Sequence, residues 1–345
     1  MNPSPAILQT RHAANARRWP DTALAPAPAG ADAAADEDAG TADCDALWSI
    51  CLAIAGRRRE GLPPCPFAVG GHGDAVGLDS AAVDDDSVAG LSWEPDRGWY
   101  LQGTWTGAAR AMFGLYRPLL ELAAGQRYVI GHLGQSIDGR IATSSGDSCF
   151  INGKQNLVHM HRLRALCDAV LVGAGTVLAD DPQLTTRLVP GPDATRVVLD
   201  PSRRLTASHR ICSDERCPTL LARYPQAAPE QCGIAEIIPA RRSDQGIDLA
   251  GLLDSLADRG LHAILVEGGG ITVSRFLEHR LLDRLQIAIA PVIIGSGRHG
   301  LQLPEVLALS DCLRPSCRQH LMGEDVLWDL DMQGGREPAP GSTSG

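Results

Sequence analysis

The chain has 345 residues, 44% of them apolar, and its 31 lysines and arginines are outnumbered by 41 acidic residues, for a formal net charge of −10. That length suffices for two domains, while the acidic balance and the lack of any basic stripe exclude a nucleic-acid binder. Lys154 is the only lysine, so nearly all cations are arginines standing singly beside other motifs, as recognition of small anionic ligands requires.

A membrane protein is not expected either. No apolar stretch reaches the ~18 residues needed to span a bilayer, and Arg17-Arg18-Trp19 is followed by Ala, Pro, Asp and Gly instead of the apolar run of an export signal. The ten cysteines include no C-x-x-C, and Cys212/Cys217 and Cys312/Cys317 are each separated by four residues, which argues against zinc or any other metal site. Free thiols packed as small hydrophobes fit a reducing compartment, so a cytoplasmic location is expected.

Residues 1–43, dominated by Ala, Pro, Asp and Gly, offer little to bury and are expected to be disordered, as is the tail 333–345. From Asp45 the pattern changes: Leu47, Ile50, Cys51 and Ile54 recur at helical spacing up to Arg57-Arg58-Arg59, then Gly61 and two prolines stop the helix. A loop rich in Gly and Asp follows, then one strand over Gly98–Trp105 and an amphipathic helix over Ala108–Ala124. Residues 44–126 thus form a small appendage of no evident role, whose Trp99, Trp105, Phe113 and Tyr116 must bury their rings against something.

From Tyr128 strand and helix signals alternate. Strands are predicted over Tyr128–Leu133, Ala169–Val172, Arg196–Leu199, Thr219–Ala222, Ala263–Val266, Leu285–Ala290 and Val326–Leu330, and helices over Gly153–Cys167, Leu249–Arg259 and Thr272–Leu281. This alternation argues an α/β domain over 127–332 with a mainly parallel sheet.

Two glycine turns follow strands. Val266-Glu267-Gly268-Gly269-Gly270 leads into a helix start whose free amides make a natural phosphate cradle, although three glycines alone are equally a bare tight turn. Gly173-Ala174-Gly175-Thr176 adds a hydroxyl able to meet a phosphate or amide, and Asp181-Pro182 nearby is a turn signal. Arg162 and Arg164, two apart on a helix, point to different faces, which leaves one to bind and the other to solvate or cap. The same spacing splays His159 and His161, so packed, hydrogen-bonded histidines are expected there and not a metal pair.

Several pieces in fixed order carry a family likeness: Gly134-Gln135-Ser136-Ile137-Asp138-Gly139-Arg140, Gly146-Asp147-Ser148, His161-Arg162-Leu163-Arg164, Gly173-Ala174-Gly175-Thr176, and Ala179-Asp180-Asp181-Pro182 with Leu184 and Arg187. Further on come Val266-Glu267-Gly268-Gly269-Gly270 and Ala290-Pro291-Val292-Ile293-Ile294-Gly295. Over about Tyr128–Met332 the chain resembles the pyrimidine reductase family of bacterial riboflavin biosynthesis. The resemblance implies a dihydrofolate-reductase-like fold, its mixed, mainly parallel sheet flanked by helices and closed by a late antiparallel strand. It implies the NADPH-dependent reduction of 5-amino-6-(5-phosphoribosylamino)uracil to the ribitylamino product, and a homodimer formed through late strands near Ile287–Ile294.

Residue by residue, the resemblance places Ser148, Arg164, Leu184, Arg187 and Glu267 on the phosphoribosyl pyrimidine substrate, Glu267 orienting or polarising it. Gly134, Phe150, Thr176, Asp180, Ser202 and the run Gly269, Gly270, Ile271, Thr272, Val273, Ser274 and Arg275 fall on the nicotinamide cofactor. Phe150 stands where the family usually has tryptophan, which keeps a π-face and removes the indole N–H. Pro201-Ser202-Arg203-Arg204 offers a hydroxyl and cations where a 2′-phosphate can sit, favouring NADPH, or else forms a solvent-facing basic turn. In many relatives a zinc deaminase with H-x-E and P-C-x-x-C precedes the reductase. Here Pro64-Cys65-Pro66-Phe67 lacks the second cysteine and no H-x-E comes before it, so a separate deaminase is expected for the preceding step. A same-fold reductase of a pterin or diaminopyrimidine and a non-catalytic nucleotide-binding module are the alternatives.

Overall fold

A computed structural model describes residues 31–77, 89–148, 151–226 and 230–333, with side chains from Asp43 onward. The chain divides into two units, 1–39 and 40–345. The described part of the first is the start of one helix, and everything below concerns the second.

Helix α1 (Ala31–Arg59) begins inside the segment expected to be disordered, where alanine, the strongest helix former, predominates. Its buried Leu47, Ile50, Cys51 and Ile54 are those the helical spacing predicts. It ends as read: Gly61 turns left-handed at φ 68, and the amides of Gly61 and Leu62 return to the carbonyls of Arg58 and Arg57. Next come β1 (Phe67–Val69), β2 (Ala75–Gly77), β3 (Gly90–Glu94) and β4 (Gly98–Gln102), an antiparallel sheet in the order β2-β1-β3-β4. Only β4 was legible, because β1 and β2 are three residues each and sit in a Gly- and Asp-rich run. Helix α2 (Gly107–Leu120), capped by the Thr106 hydroxyl, closes the appendage.

The remaining elements are β5 (Tyr128–Ser136), β6 (Arg140–Thr143), α3 (Lys154–Leu166), β7 (Ala169–Gly173), α4 (Ala174–Asp180), β8 (Thr195–Leu199), β9 (Thr219–Arg223), β10 (Glu236–Pro239), β11 (Arg242–Ser243), β12 (Gly246–Ile247), α5 (Leu249–Ala257), β13 (Ala263–Val266), α6 (Gly270–Glu278), β14 (Arg284–Ala290), β15 (Gly297–His299), β16 (Ser316–Met322) and β17 (Asp325–Asp331). Nine strands make the main sheet, in the order β10-β9-β8-β7-β13-β5-β14-β17-β16. Pairing is parallel from β10 to β14 and antiparallel from β14 to β17 and β16, so a hairpin, not a single late strand, closes the sheet. Strand β14 lies between β5 and β17. The run Ile287–Ile289 is therefore paired on both edges within the chain, and exposed apolar residues come later, at Ile293, Leu307, Leu309 and Leu321.

Side chains alternate between two cores, one on each sheet face. Val170 and Val172 join one, Ala169 and Leu171 the other, the latter with α5 and α6. The first core runs without a break into the appendage: Leu47, Trp48, Trp99, Trp105, Phe113 and Tyr116 share it with Ile130, Leu163 and Leu166. The appendage thus buries its rings against the main sheet and α3. A buried polar chain crosses the same boundary, from the Tyr116 hydroxyl to His159 Nδ1 (2.7 Å), from His159 Nε2 to Gln286 Oε1 (2.7 Å), and from Gln286 to Asp329 (3.1 Å), which is paired with Arg284.

Candidate active site

The strands β5, β7, β8 and β13 all end on the same side of the sheet, where parallel α/β folds place ligands. A cavity of about 930 Å³ opens there. Glu267 leaves β13 into it, Gly173 and Thr176 border it after β7, Pro201 and Arg204 after β8, and Gly134 on β5. The antiparallel pair β6 and β15 brings Ala142, Arg298 and His299 to the same space.

The two glycine turns meet. Thr176 Oγ1 accepts the amide of Gly269 at 3.2 Å, and Gly269 precedes the first turn of α6, whose Gly270, Ile271 and Thr272 line the cavity. Gly268 lies at φ 97, and a Cβ there would be 2.8 Å from Thr176 Oγ1, so no other residue lets these turns approach so closely. The start of α6 lies at the cavity wall, and a helix N-terminus, with the positive end of its dipole, makes a cradle suited to a pyrophosphate.

At the same cavity, Arg164 Nε and Nη2 donate to the two carboxylate oxygens of Glu267, each at 2.7 Å, and Nη1 donates to the Thr185 carbonyl at 3.1 Å. Burial works against the Arg164 charge, but the facing carboxylate more than offsets it and holds the guanidinium above its ordinary pKa. Asp180, at the cavity wall, is raised too: desolvation lifts its carboxyl despite the charge of Arg298. His132, also lining the cavity, is pushed down to about 4 by burial and hydrogen-bonds Asn156 at 3.2 Å.

Of the residues expected on the substrate, Ser148, Arg164, Leu184 and Glu267 line the cavity. Arg187 does not: it lies exposed at the rim, with Nη1 donating to Gln183 Oε1 (2.6 Å) and Thr185 Oγ1 (3.1 Å). Of those expected on the cofactor, Gly134, Thr176, Asp180, Gly269, Gly270, Ile271, Thr272 and Arg275 line it. Val273 and Ser274 turn away, because a helix cannot show seven consecutive side chains to one side. Val273 is core, and the Ser274 hydroxyl accepts the Gln302 amide at 2.7 Å. Ser202 is exposed and off the cavity wall; Arg203 is held by Glu230 and the Tyr224 carbonyl, leaving Arg204 as the lining cation of that turn. Phe150 lies outside the described residues.

His159 and His161 are buried and hydrogen-bonded, as their spacing predicts, and Arg162 stacks on Trp48 with its guanidinium carbon 5.5 Å from the ring. Asp181 caps α4 and accepts the Arg210 amide at 2.9 Å, a structural part. Ser136, Asp138 and Gly139 make the expected tight turn, with Asp138 brought down to about 2 by the Ser136 hydroxyl and the Ile294 and Gly295 amides. Sequence reasoning missed Asn156 and Met160, although with Arg164 they repeat every fourth residue along one face of α3. Arg298 and His299 were missed too, since nothing local announces that β15 folds back over β6.

Residues 127–320 match the family model described as the RibD C-terminal domain. The chain is 35% identical over 218 residues to the 2,5-diamino-6-ribosylamino-4(3H)-pyrimidinone 5′-phosphate reductase of Methanothermobacter thermautotrophicus, covering 60% of this chain and 99% of that protein. It is 33% identical over 175 residues to the riboflavin biosynthesis protein RibD of Aquifex aeolicus, 49% of this chain, and spans about half (48%) of that protein's length. Among solved structures, the diaminohydroxyphosphoribosylaminopyrimidine deaminase/5-amino-6-(5-phosphoribosylamino)uracil reductase of Thermotoga maritima superposes with a TM-score of 0.53 at 28% identity, over 64% of this chain and 59% of that one.

Proposed function

Because this chain belongs to the RibD C-terminal domain family, we propose that it is the NADPH-dependent oxidoreductase of riboflavin biosynthesis that reduces 5-amino-6-(5-phosphoribosylamino)uracil to the ribitylamino product. The observation carrying this reading is that one cavity is lined by both the glycine cradle at the start of α6 and the Arg164–Glu267 pair. NADPH, when bound, supplies the hydride that reaches C1′ of the opened ribose.

The chain's own part is positioning. The cradle of Gly269, Gly270 and Ile271 would hold a pyrophosphate, and Thr176, Gly134 and Asp180, which line the same cavity, would contact the rest of a dinucleotide. Arg204, exposed and beside Pro201, replaces Ser202 and Arg203 as the cation for a 2′-phosphate. Glu267, fixed by Arg164, presents a carboxylate of set orientation to the substrate, while Ser148 and Leu184 border its ring and ribose. Arg187, exposed and sharing Thr185 with Arg164, takes the substrate phosphate through the kind of charge-assisted contact that group needs.

A second reading keeps the reaction and changes the ring. The archaeal relative is named for the diaminopyrimidinone phosphate, the same compound before deamination, and this chain covers nearly all of it. Either order leaves the deamination to a separate protein. Steady-state oxidation of NADPH, followed at the nicotinamide band with each compound in turn, decides between them; turnover of neither overturns the reading. No helix among the described residues is long and apolar enough to cross a membrane. We place the protein in the cytoplasm as a homodimer covering Ile293, Leu307, Leu309 and Leu321, for which light scattering at the mass of one chain would be contrary.

A further inference from the structure

We propose that Trp48, on α1 and outside the segment matched to the family, is a positioning residue for the substrate side of the site, acting through the loop that carries Arg187. The inference rests on Arg187 as the contact for the substrate phosphate.

That loop is tied at its base and clamped at its tip. The Thr186 amide donates to Asp193 Oδ1 at 2.6 Å and its hydroxyl to the Pro192 carbonyl at 2.9 Å, which closes residues 186–193 into a lap. The Arg187 amide donates to His161 Nδ1 at 2.8 Å, so His161 carries its proton on Nε2 and seats the loop on α3. At the tip, the Trp48 indole Nε1 donates to the Pro190 carbonyl at 2.9 Å, across 142 residues of sequence. Next to it Gly191 lies at φ 144, where a Cβ would stand 2.7 Å from Ala165 Cβ on α3 and 3.2 Å from Leu52 Cδ2 on α1. The tip is therefore wedged between the two helices.

Helix α1 is itself fixed. Trp48 is buried, its ring centroid 5.9 Å from that of Tyr116. Arg58 pairs with Asp168 at 2.8 Å, and Arg58 and Arg59 together donate to the carbonyls of Ala165, Leu166 and Cys167 at the end of α3. A rigid wall thus holds the loop three residues beyond Arg187. Losing the indole N–H leaves the Pro190 carbonyl without that partner and lets the lap swing, carrying Arg187 with it; the cofactor cradle lies on α6, and the bonds that tie this loop run to α1, α3 and within the loop itself.

Trp48→Phe keeps the ring and removes the N–H; Leu52→Ala removes the other side of the wedge. In the full chain Trp48→Phe raises the KM for the phosphoribosylamino pyrimidine about fivefold, the worth of one neutral hydrogen bond, and Leu52→Ala raises it in the same direction, with kcat and the Kd for NADPH unchanged. In an Arg187→Ala background the effect of Trp48→Phe disappears, because the two act through one contact. A wild-type KM in both variants, an equal loss of NADPH affinity, or the same fivefold rise without Arg187 would overturn the inference. A wild-type KM for Arg187→Ala alone overturns the placement of Arg187 itself, and is recognised before Trp48 is touched.

Discussion

Arg164 and Glu267 meet through two parallel hydrogen bonds of 2.7 Å, joining the last turn of α3 to the end of β13 at the edge of the cavity. Both side chains are nearly buried, 12% and 5% exposed, and each directly compensates the other's charge. Arg164→Met is expected to cost about 3–5 kcal/mol of stability, the loss typical of stranding one partner of a buried pair, read from urea denaturation. Glu267→Gln keeps the shape and is expected to lower kcat/KM by roughly 10²-fold, about 2.7 kcal/mol, with NADPH affinity retained. A variant that loses less than a factor of three in kcat/KM would leave Glu267 without a part in the reaction.

Gly268→Ala tests the junction of the glycine turns. Its φ of 97 and the 2.8 Å approach to Thr176 Oγ1 leave no room for a methyl group. Backbone strain of roughly 1–3 kcal/mol is expected to weaken NADPH by one to two orders of magnitude, measured by fluorescence titration. Binding of the pyrimidine alone should stay the same, and a selective loss of that ligand instead would place the cradle on the other side of the cavity.

Arg204→Ala addresses cofactor choice. With Arg203 held by Glu230, Arg204 is the cation of that turn on the cavity wall. Removing a charge-assisted contact worth about 1.5–3 kcal/mol should raise the KM for NADPH about ten- to a hundredfold and leave that for NADH in place. If the ratio of the two does not move, the 2′-phosphate sits elsewhere.

The parallel strands except β10 and the two glycine turns were legible because each is written locally, in an apolar run followed by residues that can only turn. The bounds of α1 at Arg59 and the burial of Leu47, Ile50 and Ile54 followed from spacing for the same reason. What sequence could not show is where separate pieces meet. Val273 and Ser274 were carried in a block with their neighbours, and only the rotation of α6 separates them. The mating of β6 with β15, the wedge at Gly191 and the shared core of the appendage all join residues far apart in the chain, and no local pattern records such contacts.

Three buried histidines give the protein an acid limit. Burial lowers His132 to about 4, His159 to about 3 and His161 to about 4, each from 6.5. Between these values the unfolded chain binds protons that the native state refuses. Stability is therefore complete above about pH 6.5 and falls as the pH drops toward 4. For His132 alone, at about 1.4 kcal/mol per pH unit, the loss approaches 3 kcal/mol. The urea midpoint should fall steadily from pH 7 to 4.5, before carboxylates such as Asp138, brought down to about 2, begin to contribute. A flat midpoint over that interval would mean that the rings are hydrated in solution.

The central claim is that the cavity delivers a hydride from a nicotinamide to C1′ of the phosphoribosylamino pyrimidine. Incubating the full-length protein with NADPH deuterated at C4 of the nicotinamide on the transferred face, and analysing the product by mass spectrometry and NMR, tests it most directly. The account predicts a ribitylamino product one mass unit heavier than that formed with unlabelled NADPH, with the single deuterium at C1′. A reduced product without deuterium, or deuterium on the ring and not on the sugar, would contradict it.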